Sequence, residues 1–356
     1  MPKQYRDAYF PGTEELAPDE MRITALGTGM PVLRPSQMSA GWLAELGNGD
    51  RFFFDMGTGC IKNFAALDIP YQDADKLFLS HLHSDHVGDF PLWWIGGWIT
   101  RQTPVYVWGP SGKTTELGTK YCIDKFAEAY TWDITSRTGE LPDSGKEYQV
   151  TEFDYRVMNE IIYQENGVTI RSWPQIHAID GAVAYSLEWN GLKFVYGGDG
   201  RPNKLWKEFA NDADLLIHEC FMTVGILMNK FGFSKQMAVS VGTHVHTAPE
   251  QCGVVFAETK PRLAVAYHFF NDYETIGEVG SHIRKTYQGP LSLAKDLRVY
   301  NITKEQIVER EVSFNEDNWP GRSKDYVNPM TLPMGELTEL SEFITDNDWI
   351  IPVDVD

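Results

Sequence analysis

Four side chains able to bind metal stand within six residues of this sequence: His81, His83, Asp85 and His86, in the stretch SHLHSDHVGDF. Imidazole and carboxylate are the donors that borderline divalent ions such as zinc select. Alternation along an extended segment points His81 and His83 to the same side, while Asp85 and His86 open the next turn and can face a second ion. A pair of adjacent metals is therefore expected. The chain has only nine histidines, and three of them lie here.

The elements that must position these groups are short apolar runs that break into polar turns. MRITALGTG and RFFFDMGTG each end in a glycine-rich turn and read as neighbouring strands, and KLFLSHLHSDH is a third run leading into the histidines. FPLWWIGGWI suits a helix or a buried connection, PVYVWGP a strand, and KYCIDKFAEAYTWDI has helical spacing. VTIRSWPQIHAI, AVAYSLEWNGLKFVYGGDG, ADLLIHEC and RLAVAYHFF return to strands, with a helix opened by Pro249 between the last two. Asn190-Gly191 between apolar runs predicts a hairpin, so antiparallel pairing is expected. Residues able to ligate a metal follow strands again and again, which is where α/β folds build their sites.

Composition narrows the function classes. At 356 residues and 42% hydrophobic the chain can bury a large core. A net charge of −19 repels a phosphate backbone, and no basic cluster offsets it, so no nucleic-acid partner is expected. Cys60, Cys122, Cys220 and Cys252 share no CxxC spacing and read as free thiols of a reducing compartment. With no apolar leader after Met1 and no window approaching about 18 apolar residues, a soluble, cytoplasmic protein with no membrane partner is expected.

H-x-H-x-D-H after a strand, with FFFDMGTG upstream and VYGGDG downstream, resembles the metallo-β-lactamase superfamily from about Met21 to about Tyr300. HSDHVGDFPLWW, PVYVWGPSG, LLIHEC, HTAPEQC and LAVAYHFF are similar in order and spacing to the branch holding ribonuclease Z and the arylsulfatase-like and phosphodiesterase-like hydrolases. The resemblance implies an α/β fold, an αβ/βα four-layer sandwich of two mixed sheets flanked by helices, spanning 1–312 as one catalytic domain. It also implies that His81, His83 and His177 hold one ion and Asp85, His86 and His268 the other, with Asp199 bridging. Asp55 would support the ligands by hydrogen bonding. His246 would approach the scissile group, oriented by Glu219; His244 competes for that role, and Thr247 reads as the N-cap of the following helix. His218 and Cys220 read as structural, and His282 as a surface residue.

The expected reaction is hydrolysis of a small organic ester, a sulfate ester or phosphodiester, by a metal-bound hydroxide, with Asp85 handling its proton. The ions are expected to be zinc, with manganese or iron as substitutes. A lactonase or carboxyl-ester hydrolase on the same site is the alternative, and an iron-loaded redox or non-hydrolytic biosynthetic enzyme a second. Ribonuclease Z-like processing of transfer RNA relies on a long arm between the third and fourth motifs, whereas only 21 residues lie between His177 and Asp199. The Met- and Phe-rich stretch from Phe221 to His244 reads as core or a dimer contact that can also wall a pocket, and Trp93, Trp94, Trp98 and Trp108 include at least one candidate to face an organic group. A homo-oligomer, a dimer, is expected. The extension 313–356 is expected to pack on the domain or a partner subunit through Trp319, Trp349 and WIIPV.

Overall fold

The computed structural model describes residues 3–319, 321, 334–348 and 351. Its scaffold is two mixed sheets. The nine-stranded sheet runs, in spatial order, β1 (Ala8–Tyr9), β16 (Ile307–Val312), β15 (Arg298–Ile302), β2 (Met21–Gly27), β3 (Gly41–Leu46), β4 (Arg51–Met56), β5 (Lys76–Phe78), β6 (Val105–Pro110) and β7 (Tyr148–Phe153). The seven-stranded sheet runs β14 (Leu291–Leu293), β13 (Leu263–Tyr267), β12 (Leu215–Glu219), β11 (Leu192–Tyr196), β10 (Val183–Trp189), β9 (Val168–Pro174) and β8 (Glu160–Glu165). The strand β3, which the sequence pattern does not announce, lies antiparallel between β2 and β4, so the two runs expected to be neighbours are next-nearest strands.

Side-chain alternation explains the layering. Phe52 and Phe54 of β4 point between the sheets with Trp42, Phe78, Tyr185, Phe194 and Tyr196, whereas Phe53 points outward to Phe64 and Trp93. A third cluster, with Trp173, Trp206, Phe256 and Ile283, fills the outer face of the second sheet under the helices Pro249–Thr259 and Tyr273–Ile283. Three apolar interfaces therefore separate four layers, the αβ/βα sandwich expected from the sequence. Each buried Phe contributes about 1.5–3 kcal/mol, so the aromatic inter-sheet layer is a large share of the driving force.

The hairpin at Asn190-Gly191 forms as expected: Trp189 pairs with Leu192, and both turn residues have positive φ, 53° and 76°. That geometry matches the twist of the flanking strands. Beyond β16, Gly335 N–H donates to the Gly139 carbonyl at 2.8 Å and Thr338 Oγ1 to the Thr135 carbonyl at 2.9 Å. Trp319 is exposed, and Trp349 lies outside the described residues. Among the described residues no helix is long and apolar enough to cross a membrane.

Candidate metal centre

Strand direction decides where the chemistry collects. β4 and β5 run parallel, as do β11, β12 and β13, so their C-terminal ends open on one edge of the sandwich. Asp55 lies near the end of β4, His81 and His83 follow β5, Asp199 follows β11, Glu219 ends β12 and His268 follows β13. His177 follows β9, and Asp85 and His86 lie in the single helical turn Ser84–Val87. The ten residues expected at the site are brought together here.

They form overlapping sets whose donor atoms lie within 4.8 Å of one another: His81, His83, His177 and Asp199; and Asp85, His86, Asp199 and His268. Asp199 belongs to both, as a bridging carboxylate must. Two further sets exist, one joining Asp199, Glu219, His246 and His268, the other Asp55, His81 and His86. In both, a carboxylate is already engaged by protein donors, as described below.

The backbone is bent to aim these groups. Asp55 and His268 are non-glycine residues with φ of 57° and 74°, a conformation costing about 1–3 kcal/mol that persists only where surroundings enforce it. His268 N–H is held by the Thr28 carbonyl at 3.0 Å. Gly198, φ 55°, is required by crowding as well as by conformation, because a Cβ there would sit 2.5 Å from Ser80 Cβ.

Hydrogen bonds set which imidazole nitrogen faces inward. His86 Nδ1 donates to Asp55 Oδ2 at 2.6 Å, and His177 Nδ1 to the Val245 carbonyl at 3.1 Å. Ser80 Oγ, which donates to Asp55 Oδ2, accepts from His81 Nδ1 at 3.0 Å. In each ring this turns the Nε2 lone pair towards the interior of the cluster. His83 Nδ1 lies 3.0 Å from His81 Nε2 and 3.1 Å from His177 Nε2, close to the roughly 3.3 Å separation that tetrahedral ligation at about 2.0–2.1 Å demands. Burial pushes His81 well below the usual histidine range, and lowers His83 and His177, with neighbouring imidazoles reinforcing the effect. Neutral rings with inward lone pairs are what a cation needs.

The second set is charged differently. Burial disfavours the charged forms of His86 and His268, but the surrounding carboxylates, Asp199 foremost, outweigh it; His86 is raised well above its usual range and His268 to about 10. Against the same penalty Asp199 is held well below the carboxylate range by His268 and His86, and Asp85 is lowered by His86 and His268. Asp85 Oδ1, His86 Nε2 and Asp199 Oδ2 are nonetheless buried without an aligned hydrogen-bond partner; His86 Nε2 is 3.3 Å from Asp199 Oδ1, and Asp199 Oδ2 is 3.1 Å from His268 Nε2. Buried polar atoms rarely stay unpaired. Three such atoms in one cluster fit a site built for cations.

Several supporting groups escaped the sequence reading. Tyr196 OH donates to Asp55 Oδ2 at 2.6 Å, Ser80 N–H to Oδ1 at 2.6 Å, and Tyr267 OH approaches Asp199 Oδ1 at 3.4 Å. The two tyrosines arrive from strands distant in sequence, so no local spacing betrays them, whereas Ser80 directly precedes His81. Glu219 Oε2 accepts from His246 Nδ1 at 2.8 Å and Oε1 from Gly200 N–H at 2.7 Å. Burial opposes the charged His246, yet Glu219 raises its pKa. Phe221 stacks on the His246 ring, with centroids 4.3 Å apart and planes 9° apart. His244 is exposed and bonds only Thr243 and Val239, outside the cluster. Thr247 is not the helix N-cap; Ala248 is, and the Thr247 hydroxyl donates to the Gly200 carbonyl at 2.7 Å. His218 is buried against Trp206, and His282 bonds Glu250 away from the site.

Two cavities adjoin the cluster. One, of about 500 Å³, is walled by Phe221, Met222, Leu227, Phe231, Phe233 and Val241 and reaches Asp85, Asp199, His246 and His268; the Met- and Phe-rich stretch is thus a pocket wall. The other, of about 560 Å³, touches His81, His83 and His177. None of the four tryptophans after the metal motif lines either cavity. The indole N–H groups of Trp93, Trp94 and Trp98 bond the carbonyls of Ala74, Lys146 and Pro142, and Trp108 stacks on Phe78 at 4.8 Å.

Comparison with known proteins places this geometry among relatives. A family model described as anti-Pycsar protein Apyc1 matches residues 21–96. The ribonuclease Z of Mycolicibacterium paratuberculosis is 30% identical over 203 residues, which is 56% of this chain and 69% of that protein. Among solved structures, the metallo-β-lactamase fold protein YhfI from Bacillus subtilis superposes with a TM-score of 0.59 at 17% identity, covering 80% of this chain and all of that one. Zinc-bound PqqB from Methylobacterium extorquens gives 0.55 at 10% identity, covering 77% and 98%.

Proposed function

Since the chain belongs to the metallo-β-lactamase superfamily, in the branch that includes ribonuclease Z, we propose that it is a dinuclear metallohydrolase of a small organic ester, a phosphodiester or sulfate ester, with zinc as its metal. The observation that carries the reading is the joining of two convergent His/Asp sets through Asp199, with the His246–Glu219 pair beside them in an apolar cavity. His81, His83, His177 and Asp199 would hold one ion, and Asp85, His86, Asp199 and His268 the other. When bound, such ions supply a nucleophile at neutral pH by acidifying water and offset charge developing on the attacked group.

The chain's own groups do the rest. Asp85 Oδ1, buried and without a protein partner, is placed to take a proton and orient the attacking oxygen. His246, anchored at Nδ1 by Glu219, presents Nε2 to the leaving oxygen and donates its proton there. Phe221 flat against His246 keeps the ring in that orientation and excludes water from its face. The Phe and Met wall favours an apolar leaving group of moderate size over a polymer.

Elemental analysis of the purified protein, with turnover of p-nitrophenyl phosphodiester, sulfate and acyl substrates before and after chelation, tests this. About two zinc ions per chain and chelator-sensitive turnover of a diester or sulfate are expected. Turnover confined to acyl esters would move the assignment to a carboxyl-ester hydrolase, and a protein that binds no metal would overturn the site.

A further inference from the structure

The larger cavity is the part of the molecule that the reaction above leaves unused. It lies between the helix Thr119–Ala129 and the segment 178–182, and its floor is formed by His81, His83 and His177. Its walls are mostly apolar, with Leu82, Leu117, Phe126 and Ile179 among them. Leu117 and Ile179 are 46% and 62% exposed, so large aliphatic side chains are left facing an open hollow beside the metal ligands. Solvent-facing apolar surface that converges on one cavity, and not scattered singly, is the usual mark of a ligand site. Its charged groups do not invite an anion: Glu116 and Asp180 are acidic, and Lys125 Nζ is held by Glu128 at 2.7 Å.

His83 lines both cavities. The two cavities thus meet at His83 on either side of the cluster, with about 500 Å³ on the His246 side and about 560 Å³ on the other. A sulfate or phosphate monoester carries one organic arm and would leave one lobe empty. A diester carries two. His246 lines only the Phe221–Phe233 lobe, so the leaving arm belongs there and the arm that stays on the reacting centre belongs in the other.

Resting on the hydrolase reading, we propose that the cavity between the helix Thr119–Ala129 and residues 178–182 binds the non-leaving arm of a diester, and that this arm is uncharged and apolar. The experiment holds the leaving group constant and varies the other arm: p-nitrophenyl methyl phosphate against p-nitrophenyl phenyl phosphate, in wild type, Leu117→Trp and Ile179→Asp. The phenyl compound is expected to have kcat/KM at least about tenfold higher, mostly through KM, and both substitutions should shrink that ratio towards one. Equal values for the two substrates in wild type, or a preference that neither substitution alters, would overturn the inference.

Affinity is read separately, by calorimetry on the metal-loaded protein with diphenyl phosphate and phenyl methyl phosphate, diesters whose leaving groups are too poor for turnover during the titration. Tighter binding of the diphenyl compound, weakened by Leu117→Trp, supports the subsite even if no ester is turned over, in which case the hydrolase reading alone fails. No difference in affinity refutes the subsite while leaving hydrolysis intact.

Discussion

Glu219 ties His246 to the turn that carries Asp199: its Oε2 holds His246 Nδ1 at 2.8 Å while its Oε1 accepts Gly200 N–H at 2.7 Å, one residue after Asp199. One carboxylate thereby fixes the spacing between His246 and Asp199. If His246 protonates the leaving oxygen, His246→Ala should lower kcat about 10²–10⁴-fold for an alkyl leaving group and much less for p-nitrophenoxide, which leaves without help. Metal content should be unchanged. Loss of metal in this variant, or equal damage with both leaving groups, would instead make His246 a ligand or a packing residue. Glu219→Gln should give a smaller kcat loss with the same dependence on leaving group, since it positions His246 and does not touch the substrate.

Asp55 collects four donors: Ser80 N–H at Oδ1, and Ser80 Oγ, Tyr196 OH and His86 Nδ1 at Oδ2. Asparagine would turn an amide N–H₂ towards at least one of them. Asp55→Asn is expected to weaken metal binding about 10–100-fold and to cost about 1–3 kcal/mol of stability, read by metal retention in chelator buffers and by urea denaturation. Tyr196→Phe removes a single donor and should cost no more than about 1.5 kcal/mol. An Asp55→Asn protein with wild-type metal affinity would show that His86 is oriented by other contacts.

These relationships mark the boundary of what the sequence could convey. His81, His83, Asp85 and His86 are legible because a strand end and one helical turn place neighbours in sequence beside each other in space. Asp55 lies on β4, while His177, Asp199 and His268 follow three other strands, and only family resemblance joins them. Tyr196 and Tyr267 point inward from β11 and β13 as core aromatics do, and nothing in their spacing separates a ring that bonds a carboxylate from one that merely packs. β3 is hard to read because GWLAEL is buried at every position, so the alternation that announces a half-exposed strand is missing. The tryptophans misled in the opposite direction: a dense aromatic run looks like a binding wall until backbone carbonyls from distant turns claim its indole N–H groups.

The start of the chain is held by a buried ionic network. Arg310, almost fully enclosed, forms two 3.0 Å bonds to Glu14 and reaches Asn301 Oδ1 at 2.7 Å, while Asn301 Nδ2 donates to Glu20, which also binds Lys3 and Tyr5. Arg310→Met leaves Glu14 with only the exposed Arg6 and takes the donor from Asn301 Oδ1, and should cost about 1–3 kcal/mol in urea denaturation, with metal content of the folded protein unchanged. Arg310→Met/Glu14→Leu should recover part of that loss. A single variant within about 0.5 kcal/mol of wild type would show that the network contributes nothing to stability.

Asp296 makes stability depend on pH in a direction opposite to most carboxylates. Burial raises its pKa to about 6, over the opposing hydrogen bonds from Met38, Thr28 and Asn63. Below about pH 4 both folded and unfolded chains carry the proton, so this contribution is fully present. As pH climbs, the unfolded chain releases its proton first, and the contribution drains away until the folded group ionises near pH 6. The loss is about 3 kcal/mol for a shift of this size. Asp296→Asn cannot ionise, so whatever it costs through the Met38 N–H, its stability relative to wild type should improve between pH 4 and pH 7. Urea denaturation of both proteins across that window reads the difference directly. A gap that stays constant with pH would mean that the four hydrogen bonds from these three residues compensate the burial completely.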